Sequence, residues 1–443
     1  MIATDQKVAV RFHPGSAPDY LPGPQMRDLQ LDRLQATVRR AFDNVELFRE
    51  RMRARGLQPD DIQSLDDLPR LPFTFKADLR DTYPYGLFAV PLSEVVRLHV
   101  SSGTTGKPIV VAYTRDDLGV WTSVMVRALL SYGLHRGDIF QNAHGYGLFT
   151  GGLGFHYGVE AIGATVVPAS GGATDRQIMI MKDFKVTACC ATPSYFVHMM
   201  ERAAEMGIDV RALPLRVGGF GAEPWSESMR QRMEAASGIK AYDCYGLSEI
   251  TGPGVAAECR FQAGLHIFED HFYPEVVDPE TGENVPDGVE GELVVTTLSK
   301  QAMPMIRYRT RDITAFITEP CACGRTIRRM RRIGRRSDDM LIVRGVNFYP
   351  SQVESALLAV EGTLPHYQIV LTREKGLDQV EVQVEMTPEV FSDRIRALVT
   401  VEENLKHALQ QALGLRVELR LVEPHSIQRS EGKAKRVIDK RNL

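Results

Sequence analysis

Residues Ser101, Ser102, Gly103, Thr104, Thr105, Gly106, Lys107 and Pro108 put four hydroxyls, two glycines and a lysine into one short segment, directly after the strand-like run VVRLHV. Backbone N–H groups in such a turn, together with the hydroxyls, can wrap phosphate oxygens, and Lys107 adds a cation. The lysine-hydroxyl ending of a Walker loop is absent, so this is another kind of phosphate cradle or a flexible polar turn. A second constellation is made of Cys259 and His266, seven apart, and the pair Cys321 and Cys323 just before Gly324. Three thiolates and one imidazole match a closed four-ligand zinc site, structural because no position is left open for substrate. Unpaired thiols are the competing reading, and His271 is a nearby alternative ligand. Cys189 and Cys190, inside the apolar run VTACCATP, read as buried core thiols. Residues 145–158, GYGLFTGGLGFHYG, alternate aromatic and small side chains, a fair wall for a flat ring or ordinary helix–sheet packing.

The elements that must hold these groups are legible from periodicity. A chain of 443 residues, 44% hydrophobic and 25% charged, is a globular enzyme by default and too long for a single core. Its net charge of −3 gives no pull toward nucleic acid or an anionic membrane. No apolar run reaches the roughly 20 residues that span a bilayer. The first residues lack the order of a secretory signal, so a cytoplasmic location is expected. Six cysteines in this length are no disulfide framework. The first 75 or so residues show helical spacing, with Gly56 as a stop. From about 95 to 221, β-branched runs alternate with helical segments, which predicts a largely parallel sheet covered by helices. Residues 265–318 are strand-rich, a smaller β subdomain. After the basic run RRMRRIGRRSDD the chain restarts as an α+β unit of about 100 residues.

Read in order, SSGTTGKP, GFGAEPW (219–225), YGLSE (245–249), YRTRD (308–312), RRSDDMLIVRGVNFYPSQVE (335–354) and EGKAKRV (431–437) resemble the motifs of the adenylate-forming acyl-CoA ligases. Within them the match is to the phenylacetate-CoA ligase group, and it covers nearly the whole chain. The resemblance implies an α/β fold with a large multi-sheet N-terminal adenylation domain and its β subdomain over residues 1–335. A small mobile α+β domain over 338–443 would carry the lysine loop, with Asp338 as hinge.

The resemblance also implies roles. Lys433 would approach the carboxylate and the α-phosphate during adenylation, a place suited to a compact point charge; Lys435, two residues on, remains a plain solubility lysine. The loop 101–107, with Gly221, Ala222, Glu223, Pro224, Asp243, Tyr245 and Gly246, would surround the nucleotide. Asp312 would accept from both ribose hydroxyls, with Arg336 reaching the same sugar. Arg335 stands where the family pattern usually has glycine. Glu249 would contact the Mg2+ that accompanies ATP. Tyr146, Phe149, Gly151, Ala222, Glu223 and Pro253 would line the acid pocket, and Gly345 a coenzyme A channel that opens when the C-terminal domain swings.

The implied reaction is acid plus ATP plus coenzyme A giving acyl-CoA, AMP and diphosphate. Phenylacetate is the first expected acid, ahead of benzoate, hydroxyphenylacetate and indoleacetate. The rivals are an adenylating enzyme that passes its acyl group to a carrier protein or an amine, and a non-catalytic nucleotide or metal sensor. A structural zinc accompanies the main reading, and relatives imply a homodimer.

Overall fold

A computed structural model of the chain describes residues 13–101, 108–337, 339–344, 346–374, 377–387, 395–429 and 434–441. The predicted loop residues Ser102 to Lys107, the hinge Asp338, the channel residue Gly345 and the lysine Lys433 lie outside the described residues. The chain opens with helices α1 (Gly23–Asn44), α2 (Glu46–Ala54) and the short α3 (Lys76–Asp81). An antiparallel hairpin follows, β1 (Arg97–Ser101) with β2 (Ile109–Tyr113), flanking the predicted phosphate loop. Helix α4 (Arg115–Ser131) begins on a capping box. Thr114 Oγ1 accepts from the Asp117 N–H at 3.1 Å, and an Asp117 carboxylate oxygen accepts from the Thr114 N–H at 2.9 Å.

The middle of the chain alternates as expected, with β3 (Ile139–Asn142), α5 (Gly151–Ile162), β4 (Thr165–Val167), α6 (Thr174–Asp183), β5 (Ala188–Ala191), α7 (Pro193–Glu205), β6 (Val217–Gly221), α8 (Glu227–Ser237) and β7 (Lys240–Leu247). These five strands pair in parallel in the order β4, β3, β5, β6, β7. β8 (Gly252–Glu258) and β9 (Leu265–Ile267) add antiparallel strands beyond β7. Cys190 packs into one apolar cluster and Cys189 into another, because successive strand residues face opposite sides of the sheet. Both thiols are fully buried.

The strand-rich stretch divides between two sheets. β10 (Phe272–Val277), β11 (Gly291–Thr297) and β12 (Tyr308–Thr314) build a second, antiparallel sheet. β13 (Phe316–Ile317) and β14 (Arg329–Met330) return to the edge of the large sheet beside β9. β15 (Arg335–Arg336) closes the second sheet by pairing with Asp312 and Ile313 of β12. After a small hairpin, β16 (Leu341–Val343) with β17 (Val346–Phe348), comes α9 (Pro350–Leu358). The last sheet orders β20 (Glu418–Val422), β19 (Leu377–Met386), β18 (Thr363–Glu374) and β21 (Val437–Asp439), with a helix over Ile395–Leu413. Residues 343–437 supply an apolar cluster of their own.

Two glycines are required by close approach. A Cβ on Gly221 would lie 2.3 Å from the Cys244 carbonyl oxygen, and one on Gly246 would lie 1.8 Å from that of Gly252. Neither carbonyl can move without breaking the β6, β7 and β8 pairings, so these strand ends stay open and line a cavity.

Candidate active site

The ends of β6 and β7, the turn after β7, the start of α5 and the residues of β12 and β15 converge on one cavity of about 660 Å3. That lies in the range of small-molecule and cofactor sites. Among the sequence-predicted residues, Phe149, Gly151, Gly221, Ala222, Glu223, Pro224, Asp243, Tyr245, Gly246, Glu249, Pro253, Asp312 and Arg336 all line it. They span almost 190 positions, so only the fold brings them together.

Asp312 is the best-held of its charged groups. It is 3% exposed; the Tyr245 hydroxyl donates to one carboxylate oxygen at 2.7 Å and Arg336 Nη1 to the other at 3.0 Å. Burial keeps the Tyr245 hydroxyl well above its usual pKa and so protonated. A carboxylate is an acceptor only, the kind of group to which a vicinal diol donates. Arg311, directly before it, has φ 68°, a left-handed conformation unusual outside glycine. Ala222 does the same at φ 69° on the cavity wall. Such strained residues persist where the surrounding structure over-determines them.

Glu249 is buried beside the same cavity. Lys300 Nζ donates to its carbonyl oxygen at 3.0 Å, and Lys76 Nζ lies 3.9 Å from its carboxylate. Burial pulls the Lys300 ammonium down to about 8, against the attraction of Asp117 and Glu249. Asp117 reaches across from the cap of α4 and accepts the N–H groups of Gln301 and Ala302, which fixes the loop bearing Lys300.

Sequence reading missed Lys76 and Arg80. Both line the cavity from α3, where spacing of four puts them on one helix face. They supply cations on a wall that also carries Glu249, and polyphosphate charge is stabilised by such groups. The KADLR spacing was the available signal, but nothing local ties it to motifs more than 100 positions away.

Around His144 the cavity walls turn apolar. Phe149 and His144 lie against Gly151, Phe155 stacks on His144, and Ala143, Ala222 and Pro253 also line the cavity. His144 stacks on Phe155 with ring centroids 5.5 Å apart, and burial pulls its imidazole down to about 4, so it is neutral at pH 7. Phe155 belongs to the run 145–158 expected to wall a flat ring, whereas His144, just before it, was not singled out from sequence. Tyr146 departs from the expected acid-pocket lining. It is not among the cavity walls, because its hydroxyl is drawn to Asn142 Nδ2 at 2.8 Å and His156 Nδ1 at 3.1 Å. Glu223 lines the cavity, yet its two oxygens accept the N–H groups of Ser194, at 2.7 Å, and Ala434, at 3.1 Å. Its carboxylate joins α7 to the residue next to Lys433.

Away from the cavity, one ligand atom each of Cys259, His266, Cys321 and Cys323 fall within 4.8 Å of one another. Cys259 Sγ and Cys321 Sγ are 3.7 Å apart, and Cys323 Sγ is 3.3 Å from His266 Nε2. Zinc–sulfur bonds of about 2.3 Å in a tetrahedron require edges of roughly 3.8 Å, so the set has the right size for zinc. His271 is not part of it; its ring nitrogens face Ser299 and Asp270. Next to the CAC pair, Arg325 Nε donates to Asp19 at 2.9 Å, and Asp19 also takes the buried Arg127. The loop is thus fastened to the N-terminal segment through a partnered buried charge.

Residues 65–303 match a family model described as AMP-binding enzyme, and residues 345–441 one described as AMP-binding enzyme C-terminal domain. The phenylacetate-coenzyme A ligase of Aromatoleum evansii is 50% identical over 420 residues, 94% of this chain and 95% of that protein. The chain belongs to the phenylacetate-coenzyme A ligase family. The ligase of the same name from Thermus thermophilus is 48% identical, covering 95% of this chain and 98% of that protein. Among solved structures, a 2-hydroxyisobutyryl-CoA ligase in the postadenylation state, in complex with R3-HIB-AMP, matches with TM-score 0.92 at 31% identity. That match covers 99% of this chain and 94% of the other. The same ligase in the thioesterification state with 2-HIB-AMP and CoA matches at only 0.71. The overall arrangement here is therefore closer to the first of these two structures than to the second. This family member is an AMP-forming acid–thiol ligase with the mixed α/β architecture expected from its motifs. Among its described residues no helix is long and apolar enough to cross a membrane.

Proposed function

We propose that this protein joins phenylacetate to coenzyme A in two steps at the cavity described. A carboxylate oxygen of the acid attacks the α-phosphorus of ATP, forming the acyl-adenylate and releasing diphosphate. The thiolate of coenzyme A then attacks the acyl carbon, and AMP leaves. The observation that carries the reading is a single cavity in which a buried carboxylate, Asp312, and an apolar recess walled by Phe149 and Phe155 share one space. The name borne by relatives 48–50% identical over nearly the full chain supports phenylacetate over other acids.

In this reading Asp312 and Arg336 hold the ribose, Lys76 and Arg80 face polyphosphate charge together with the loop 101–107, and Glu249 meets the Mg2+ that travels with ATP. The neutral His144 leaves the recess uncharged, which suits a ring without a polar substituent. Lys433 supplies the charge at the reacting phosphate, Asp338 the pivot, and residues 338–443 the mobile domain whose swing lets coenzyme A pass Gly345. Cys259, His266, Cys321 and Cys323 would hold a zinc ion, which would supply rigidity and no chemistry, since four protein ligands would leave no open position.

Acid-dependent AMP release that requires coenzyme A tests the reading, scored over phenylacetate, benzoate, hydroxyphenylacetate, indoleacetate and the aliphatic 2-hydroxyisobutyrate. Phenylacetate should give the highest kcat/KM; a branched hydroxy acid ranking first would overturn the substrate. AMP formation without thioester would favour transfer to a carrier or amine, and no AMP at all a sensor. Asp312→Ala should lower kcat/KM for ATP about 100-fold, or roughly 2.7 kcal/mol, because charge-assisted bonds to the sugar are lost. The KM for the acid should change little; an equal rise for acid and ATP would remove Asp312 from the sugar.

A further inference from the structure

Helix α7 is where the C-terminal sheet meets the large one. At its start Glu223 joins the Ser194 N–H to the Ala434 N–H. Two turns further along α7, Glu201 Oε2 lies 2.8 Å from His366 Nε2 on β18. Their side chains are only 21% and 7% exposed. Arg232 of α8 stands 3.8 Å from the other Glu201 oxygen and donates to the Thr363 carbonyl, also on β18, at 3.3 Å.

A polar seam of this kind selects an orientation. Charged and polar groups taken from water recover their lost hydration only if their partners arrive in register. Apolar packing, such as that of Leu358 against the cluster beneath α7, tolerates sliding far better. When the two units separate, carboxylate, imidazole and guanidinium all regain water. The seam is therefore both specific and reversible. It exists in the arrangement that matches a postadenylation structure better than a thioesterification one.

We propose that Glu201, acting through His366, is a positioning residue for adenylation. The pair clamps the C-terminal unit in the orientation that brings the segment after Lys433 onto α7, and it parts before coenzyme A reacts. The proposal rests on the ligase reading above. Neither residue lines the reaction cavity, so the pair acts on orientation alone.

The test uses the full-length protein and its E201A, H366A and double variants. Acid-dependent diphosphate release reports the first half-reaction, and thioester formed from supplied acyl-adenylate and coenzyme A reports the second. Each single variant should slow the first about tenfold, and the double variant should be no slower than the slower single one. The second half-reaction should stay within about twofold of wild type or become faster. Proportional loss in both half-reactions, no change in either, or multiplying effects in the double variant would overturn the clamp. E201A carries the test alone where H366A does not fold. If wild type activates no acid, the ligase reading fails, and solution scattering then reads the clamp separately. E201A must shift the profile away from wild type, and identical profiles would overturn it.

Discussion

Lys433→Ala should lower acid-dependent AMP formation by about 10²–10³-fold, while thioester formation from supplied acyl-adenylate falls far less. Attack of a carboxylate on the α-phosphorus gathers negative charge on oxygens of the reacting phosphate. A compact ammonium placed there stabilises the transition state more than the ground state, so its loss acts on kcat rather than on binding. The second half-reaction moves charge in another way, with a thiolate attacking carbon and AMP leaving, and the proposed swing takes the lysine away before it begins. The neighbouring Ala434 N–H is already bonded to Glu223 on the cavity wall, which supports a reach of this segment toward the nucleotide. Parallel single-turnover measurements of the two steps decide the matter. Equal losses in both would sink the domain-swing assignment and leave Lys433 as a general structural or binding residue.

The Cys321→Ser, Cys323→Ser double variant should lose its zinc, from about one ion per chain to near none, and several degrees of thermal stability with it. Removing two of four ligands leaves a site that cannot close a tetrahedron, and structural zinc contributes folding energy directly. Each kcal/mol shifts the midpoint by about 2–4 °C for a domain of 150–250 residues and by less for a longer one such as this. The loop has other anchors. Arg325 holds Asp19, and the Thr326 N–H donates to the Asp19 carbonyl at 2.9 Å. The loss should therefore be partial unfolding around β9 and β14, with the nucleotide cavity retained. Elemental analysis and a melting curve check both halves. Zinc-free wild type with an unchanged melt in the variant would mean unpaired thiols instead.

These two expectations stand on different kinds of legibility. The lysine loop could be read because EGKAKRV follows five other motifs in order, although Lys433 itself falls outside the described residues. The Cys and His cluster could be read because ligand types are few and their spacings are short within each pair. What joined the pairs, 62 positions apart from Cys259 to Cys321, was the pairing of β9 with β14, which brings His266 opposite Arg329 and the CAC loop alongside. The alternation of strands and helices also holds from Ile109 to Gly221, since each element is set by periodicity over about ten residues, but at the start of the range β1 pairs with β2 in a separate antiparallel hairpin. The strand-rich stretch was recognised as strands, but its division between two sheets was not. Strand partners are chosen by distant segments, and short strands such as β13 to β15 carry almost no pattern of their own.

By itself, then, the chain's order of residues determined which chemical groups were on hand and roughly which local backbone some of them adopt: a carboxylate on a strand, thiols in pairs. Only the tertiary structure decided where side chains point. It turned Tyr146 toward Asn142 and His156 and away from the cavity, set Lys76 and Arg80 on the same wall as Glu249, and used both oxygens of Glu223 on backbone N–H groups. The physical reason is that helix and strand preferences follow from backbone periodicity among neighbours, whereas a side chain's direction answers to packing and hydrogen-bond partners that only the folded backbone sets in place. Those partners are as near as Asn142 is to Tyr146 or as far as Ala434 is from Glu223.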